Sequence, residues 1–330
     1  MTARARRFLA PDLEPVYRAL LRDGRLRTRG EEARRHLESC RLCPRQCGAR
    51  RSEGEAGTCD VGHRAVVSSA FPHLGEEDCL RGRRGSGTIF FGGCSLRCAF
   101  CQNADVSWQA SGTEEDARAL ADEMLALQDR GCHNVNLVTP THVVPQVIEA
   151  LAIAAEEGLR LPIVYNSSGY DGAPALALLD GVVDVYMPDF KFWRTETAAR
   201  YANAPDYPDV ARRALAEMHR QVGPLLLDEQ GLARRGVLVR HLVMPGLVDE
   251  SRAILEWLAR ELSPDTYVNV MAQYRPAGRV GTPDRGVRRF AEIDRRPRTA
   301  EVEAVYEAGR RAGLWRFDER PRLAGLEAES

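Results

Sequence analysis

Lysine is almost missing from this chain. Of its 46 Lys and Arg residues, only Lys191 is a lysine. The planar fork of Arg and the compact ammonium of Lys are not interchangeable at a tight site. A chain that uses Arg elsewhere and keeps one ammonium therefore marks that position, unless one Lys has simply remained. A dominant charge is missing too: the formal net charge is −1 at pH 7, so no global basic field argues for nucleic acid. No apolar run approaches the roughly 18 residues of a membrane span. The basic start Met1–Arg7 has no apolar segment behind it, so no secretory signal is expected. There is no internal repeat or low-complexity tract. Nine cysteines, an odd number at metal-like spacings, exclude a simple disulfide framework and point to a reducing, cytoplasmic compartment.

What is present falls into two textures. Residues 1–85 are Arg-rich and carry Cys40, Cys43, Cys47 and Cys59. Periodicity there predicts helices over 14–21 and 31–38, with a Gly- and charge-rich loop over 50–62. From residue 86 apolar strands alternate with amphipathic helices. Strands are predicted over 88–92, 134–139, 162–166, 182–187, 236–244 and 266–272. Helices are predicted over 114–130, 143–157, 173–179, 209–222, 249–262 and 299–312. Thr113 is the expected cap of the first of these helices and Gly131 its stop. Six β-α units in order argue an α/β fold with a parallel sheet, a complete or partial TIM-like barrel. In such barrels chemistry sits at the C-terminal strand ends. The expected organisation is an N-terminal region over 1–85, a barrel over 86–285, and a C-terminal helix and tail over 286–330 that completes it.

Directly behind the first predicted strand stands Cys94-Ser-Leu-Arg-Cys98-Ala-Phe-Cys101. Three thiolates on one short loop can hold three irons of a [4Fe–4S] cluster. A closed cluster takes four cysteines, so one iron is left open, which separates a catalytic site from a structural one. A zinc knuckle is the competing reading, but no fourth ligand lies at zinc-like spacing nearby. Cys40-x2-Cys43-x3-Cys47-x11-Cys59 carries a full four cysteines, and a structural zinc or an auxiliary iron–sulfur cluster explains it. Cys79 and Cys132 read as core thiols.

With the cluster loop behind the first of six strands, the chain resembles radical S-adenosylmethionine (radical SAM) enzymes. More narrowly, it is similar to pyruvate formate-lyase (glycyl-radical) activating enzyme-like proteins. The matching stretches are Cys40-Arg-Leu-Cys-Pro-Arg-Gln-Cys, Gly85-Ser-Gly-Thr-Ile-Phe-Phe, Cys98-Ala-Phe-Cys-Gln-Asn, Thr139-Pro-Thr-His, Tyr165-Asn-Ser-Ser-Gly-Tyr, Tyr186-Met-Pro-Asp-Phe-Lys, Arg240-His-Leu-Val-Met-Pro-Gly and Met271-Ala-Gln-Tyr-Arg-Pro. The resemblance implies a (β/α)6 partial barrel, a [4Fe–4S] cluster on Cys94, Cys98 and Cys101, and SAM on the open iron. Reductive cleavage of SAM would then give a 5′-deoxyadenosyl radical for hydrogen abstraction.

The resemblance also implies a job for each strand end. At the second, Thr139-Pro-Thr141 replaces the family's Gly-Gly-Glu-like turn for the SAM amine, a departure that removes the Glu contact; helix capping explains these threonines equally well. At the third, Asn166 and Ser168 resemble the Thr-Asn-Gly turn near ribose or methionine, or form a plain turn. At the fourth, Asp189 and Lys191 match an Asp-x-Lys pair, Lys191 for the SAM carboxylate and Asp189 for ribose, amine or a nearby cation; a barrel-end ion pair is the bland alternative. At the fifth, Arg240 reaches the SAM carboxylate, while His241 points to the opposite face and packs. Asn269 and Gln273 are unranked contacts for adenine or substrate. The segment His73–Glu77 could face the mouth or lie on the surface.

A low-potential donor, a flavodoxin or ferredoxin, is the implied partner, with a protein or peptide substrate for an activase-like enzyme. A radical SAM enzyme acting on a small molecule or peptide, or using SAM for group transfer, is the alternative. A non-catalytic iron–sulfur or zinc protein is a second.

Overall fold

Runs of Val, Ile, Leu and Phe make the strands of this protein, as expected of side chains that pack well on a pleated, buried surface. The computed structural model describes residues 3–10, 13–284 and 286–318. Its first nine strands are β1 (Ala65–His73), β2 (Ser86–Phe91), β3 (Thr113–Glu115), β4 (Val135–Val138), β5 (Ile163–Ser167), β6 (Val185–Pro188), β7 (Leu226–Leu227), β8 (Ala233–Leu242) and β9 (Tyr267–Met271). Strands β2, β4, β5, β6, β8 and β9 lie side by side in that order, all parallel. The pair Arg316–Phe317 extends the sheet in parallel beyond β9. This is the expected α/β fold with a partial TIM-like sheet, each of its six parallel strands overlapping a predicted one.

Strands β1, β3 and β7 and a few two-residue strands lie outside the predicted set, and β1 is the longest of them. β1 pairs antiparallel with β2, and β3 pairs antiparallel with β1, so the sheet gains an edge at its first parallel strand. The burial of β1 fades along its length, and Ser68, Ser69 and Pro72 interrupt its apolar pattern. The loop expected over 50–62 holds only a short turn of helix at Arg51–Glu53.

The predicted barrel helices appear at Ala117–Asp129, Val144–Glu156, Ala173–Leu179, Tyr207–Val222, Val248–Trp257 and Thr299–Arg311. The first starts later than expected because Thr113–Glu115 is taken into β3. Its cap is Asp116 rather than Thr113, with the Asp116 carboxylate accepting from the Ala119 amide at 3.0 Å. The predicted N-terminal helices appear at Tyr17–Arg22 and at Arg25–Arg35, the latter beginning six residues earlier than expected, and a further short helix spans Ala3–Arg6. The helix Thr195–Ala202, between β6 and β8, escaped the periodicity because it is only two turns long. The expected tail over 319–330 lies outside the described residues. Among the described residues no helix is long and apolar enough to cross a membrane.

The segment between β1 and β2 turns inward. Cys79 and Leu80 pack with Val164 of β5, Val185 and Met187 of β6 and Leu238 of β8, forming a small core of their own. Cys79 and Cys132 are both buried.

Candidate active site

The C-terminal ends of the parallel strands open onto one cavity of about 250 Å³. Cys94, Cys98 and Cys101 line it, and so do Thr139, Asn166, Ser168, Asp189, Lys191, Arg240 and Gln273. Residues drawn from a span of almost 180 positions thus meet in one place, because parallel strands bring all their C-terminal ends to the same rim. Thr141 is not among the lining residues. It is buried, and its hydroxyl donates to Asp171 at 2.7 Å, alongside donors from Tyr165 and Ser167.

The cysteine loop is held from three sides. The Ala99 amide donates to the Tyr201 carbonyl at 2.7 Å, and the Ala99 carbonyl accepts from the Arg279 amide at 2.8 Å. Phe100 is buried between Phe192, Tyr201 and Tyr274, with ring centroids 5.9, 6.5 and 6.0 Å away. Arg45 donates to the Ser95 carbonyl at 2.9 Å. The loop turns through a left-handed Gly93 and a left-handed Arg97. A Cβ on Gly93 would stand 2.4 Å from the Cys59 carbonyl oxygen, so a side chain is excluded there. Burial pushes up the Cys94 thiol, and the Cys98 thiol to about 12. A metal is what would hold such sulfurs as thiolates. Among the described residues no three His, Cys, Asp or Glu side chains already close on a single ion.

Across the cavity lies a polar cluster. Lys191 donates to Asp189 at 2.5 Å, and Arg240 Nε donates to the other oxygen of the same carboxylate at 2.8 Å. Arg240 also donates to the Asn166 side-chain oxygen at 2.6 Å. Burial disfavours the charge on Asp189, but Arg240 and Lys191 outweigh it and hold the carboxyl below its usual range. Burial likewise opposes the charge on Lys191, and Asp189 with the Cys98 sulfur keeps the ammonium above its ordinary value. Two cations thus share the Asp189 carboxylate, and Glu76 lies behind Arg240 as a second counter-charge. Lys191 lies within electrostatic reach of the Cys98 sulfur.

Tyr207 and Glu250, which sequence reading passed over, and Glu76, from the segment that could face the mouth, position this cluster. The Tyr207 hydroxyl accepts from the Lys191 amide at 2.9 Å and lies 2.9 Å from the Ser168 carbonyl and 3.0 Å from the Asp189 carbonyl, tying two strand ends together. The buried Glu250 carboxylate accepts from the amides of Trp193 and Arg194 and from Thr197, fixing the turn behind Lys191. Glu76 faces Arg240 at 3.7 Å and accepts from Asn136 at 2.8 Å. Its neighbour Glu77 accepts from Asn269 at 2.8 Å, and burial pushes its carboxyl up. Segment 73–77 therefore supplies buried carboxylates below the cavity. Asn269 serves them, whereas Gln273 lines the cavity.

Thr139 adopts a left-handed conformation, φ 60° and ψ 48°, and its amide donates to the Asn166 carbonyl at 2.9 Å. For a β-branched residue this is a strained backbone, of the kind that clusters at binding sites. Gly169 is left-handed as well, and a Cβ there would lie 2.2 Å from the Asp189 carbonyl. The glycine admits the neighbouring strand end. His241 is buried, with its ring nitrogens on the Phe190 carbonyl at 2.7 Å and the Ser251 hydroxyl at 2.8 Å, the packed role expected of it.

The model of the radical SAM superfamily matches residues 88–258, from β2 through the helix Val248–Trp257. An uncharacterized protein of Methanocaldococcus jannaschii is 31% identical over 294 residues, covering 86% of this chain and 78% of its own. Two solved structures of TsrM from Kitasatospora setae, a radical S-adenosylmethionine methyltransferase, show partial likeness. The one with tryptophan and aza-SAM has a TM-score of 0.44 at 18% identity, over 58% of this chain and 37% of that one. The one with cobalamin and a [4Fe–4S] cluster has a TM-score of 0.45 at 15% identity, over 75% of this chain and 55% of that one. At those scores, and over so little of TsrM, the likeness carries no argument about activity.

Proposed function

Because this chain belongs to the radical SAM superfamily, we propose that it cleaves SAM reductively at a [4Fe–4S] cluster on Cys94, Cys98 and Cys101. We propose further that the 5′-deoxyadenosyl radical takes hydrogen from a glycine of a protein or peptide, as glycyl-radical activating enzymes do.

One observation carries the first half: the three cysteines and the Asp189, Lys191, Arg240 and Asn166 set share the walls of one cavity. The chemistry of these donors fits the family's groups. Three thiols suit a cluster with one open iron, and two cations around one carboxylate suit a zwitterionic amino-acid moiety. When bound, the cluster and SAM supply one-electron chemistry at a carbon–sulfur bond. The chain supplies the rest. Lys191 and Arg240 bind a carboxylate, with Asp189 between them keeping both ionised and aimed. The strained Thr139 turn offers backbone to the amine. Ser168 and Asn166 present short polar groups to a ribose. Phe90, Phe91, Leu96 and Val138 exclude water from the same space. Thr141 stiffens its turn through Asp171 and reaches the ligand only through Thr139.

The size of the cavity supports the second half. Small-molecule sites commonly enclose roughly 300–1,000 Å³, and about 250 Å³ is present here. With cofactor filling that space, the substrate meets it from the open side, which suits a loop of a larger partner. Electrons would come from a flavodoxin or ferredoxin in a reducing, cytoplasmic compartment.

The test is anaerobic reconstitution, reduction with dithionite and addition of SAM, with 5′-deoxyadenosine read by mass spectrometry. Wild type should form it and Cys98→Ala should not; equal traces from both would end the reading. For the substrate half, deuterium from a glycine-deuterated protein substrate should appear in the 5′-deoxyadenosine. Abstraction from a small molecule instead would leave the first half standing and remove the second.

A further inference from the structure

The N-terminal cysteines form a second, separate cluster of thiols. A Cβ on Gly57 would lie 3.3 Å from Cys47 Sγ and 3.4 Å from Cys59 Sγ, so both sulfurs converge on a glycine that leaves them room. Cys40 and Cys59 are buried, and all four thiols lie within electrostatic reach of one another.

Arg51 is the independent observation. It is fully buried, 0% exposed, and Nη1 lies 3.8 Å from Cys40 Sγ and 2.7 Å from the His142 carbonyl. Nε donates to the Gly62 carbonyl at 2.8 Å, while buried Nη2 has no hydrogen-bond partner. No carboxylate among the described residues pairs with this guanidinium. A buried cation without a counter-charge is costly, and neutral thiols do not provide one. Thiolates on a metal do: four of them leave zinc or a [4Fe–4S] cluster net negative.

We propose that Cys40, Cys43, Cys47 and Cys59 ligate a second metal centre, a tetrathiolate whose negative charge is balanced by buried Arg51. Each thiol releases its proton to solvent as the metal binds, and the sulfurs close the remaining distance onto it. The centre also braces the first cluster loop. Its Cys59 carbonyl abuts Gly93, Arg45 bonds the Ser95 carbonyl, Asp60 pairs with Arg97, and the Arg51-bound His142 holds the Gly92 carbonyl at 2.8 Å.

The test removes the first site and counts what remains. The full chain with Cys94→Ala, Cys98→Ala and Cys101→Ala is loaded anaerobically with zinc in one arm, and with ferrous iron and sulfide in the other. After desalting, one arm should retain about one zinc or about four iron per chain, and adding Cys43→Ser should abolish it. No retained metal in either arm, or retention indifferent to Cys43→Ser, overturns the proposal. If the triple variant does not fold, Cys43→Ser/Cys47→Ser in the otherwise natural chain gives the same subtraction: metal content falls by that amount, or stays unchanged and refutes it. Arg51→Gln tests the charge. A zinc centre should lose metal to chelator at least about tenfold faster, and an iron–sulfur centre should show a lower reduction potential. An unchanged rate or potential removes Arg51 from the centre.

Discussion

Lys191 is where a single residue type matters most. Its ammonium shares Asp189 with Arg240 and lies near Cys98, so a wider, planar cation should not fit the same place. Lys191→Arg should weaken SAM binding by about tenfold or more in equilibrium dialysis although the charge is kept; equal affinity contradicts the assigned role. A second residue-scale effect concerns His142. It is buried, its Nε2 lies on the Gly92 carbonyl, and desolvation pulls its pKa down to about 4. The unfolded chain takes up a proton near pH 6.5, while the folded chain does not until about pH 4. Stability from this group is present above pH 6.5 and is lost as pH falls toward 4. The loss from pH 7 to 5 should be about 2 kcal/mol. His142→Gln keeps a donor for Gly92 without titrating, so its urea midpoint should fall less than that of wild type over that range; identical slopes would reject this account.

Whole elements position the site through a few close contacts. Gly169→Ala forces a Cβ to within 2.2 Å of the Asp189 carbonyl in a left-handed turn, and so pushes the β5 and β6 ends apart. SAM affinity and melting temperature should drop together, and an unaltered affinity would show that the turn does not set the Asp189 position. Phe100→Ala removes the aromatic wedge under the cysteine loop. The cost should be about 3–5 kcal/mol in denaturant unfolding, as for other buried phenylalanines, with less iron retained after reconstitution. At this scale the parallel strands were legible because most of them are short apolar runs, and β8 carries one at its centre, residues 237–239. Strand β1 was not, since its apolar pattern breaks at Ser68, Ser69 and Pro72 and its partner is antiparallel. Helix Ala117–Asp129 was legible except for its start, where Thr113 and Asp116 are both good caps and only strand pairing decides between them.

Across the whole molecule, what the sequence conveys is which residues gather at the cavity; what it conceals is what stands behind them. Asp189, Lys191 and Arg240 stand out through the family resemblance at their strand ends, and Lys191 also as the single lysine. Tyr207 and Glu250 do not, because an isolated tyrosine or glutamate acquires its role only when a distant segment folds onto it. For Glu76 and Glu77 the sequence leaves the mouth and the surface both open, and the structure buries them against Asn136 and Asn269. The four N-terminal cysteines are visible as a set, yet their contact with the first cluster loop, some 40 residues on, is a tertiary fact. The central claim is that the Cys94, Cys98 and Cys101 loop leaves one iron for SAM. Electron paramagnetic resonance of the reduced, reconstituted protein tests it most directly, in the Cys43→Ser/Cys47→Ser background to silence the second set. The account predicts a [4Fe–4S]⁺ signal that changes shape when SAM is added and is absent in Cys98→Ala. A signal indifferent to SAM, or one that survives Cys98→Ala, would contradict it.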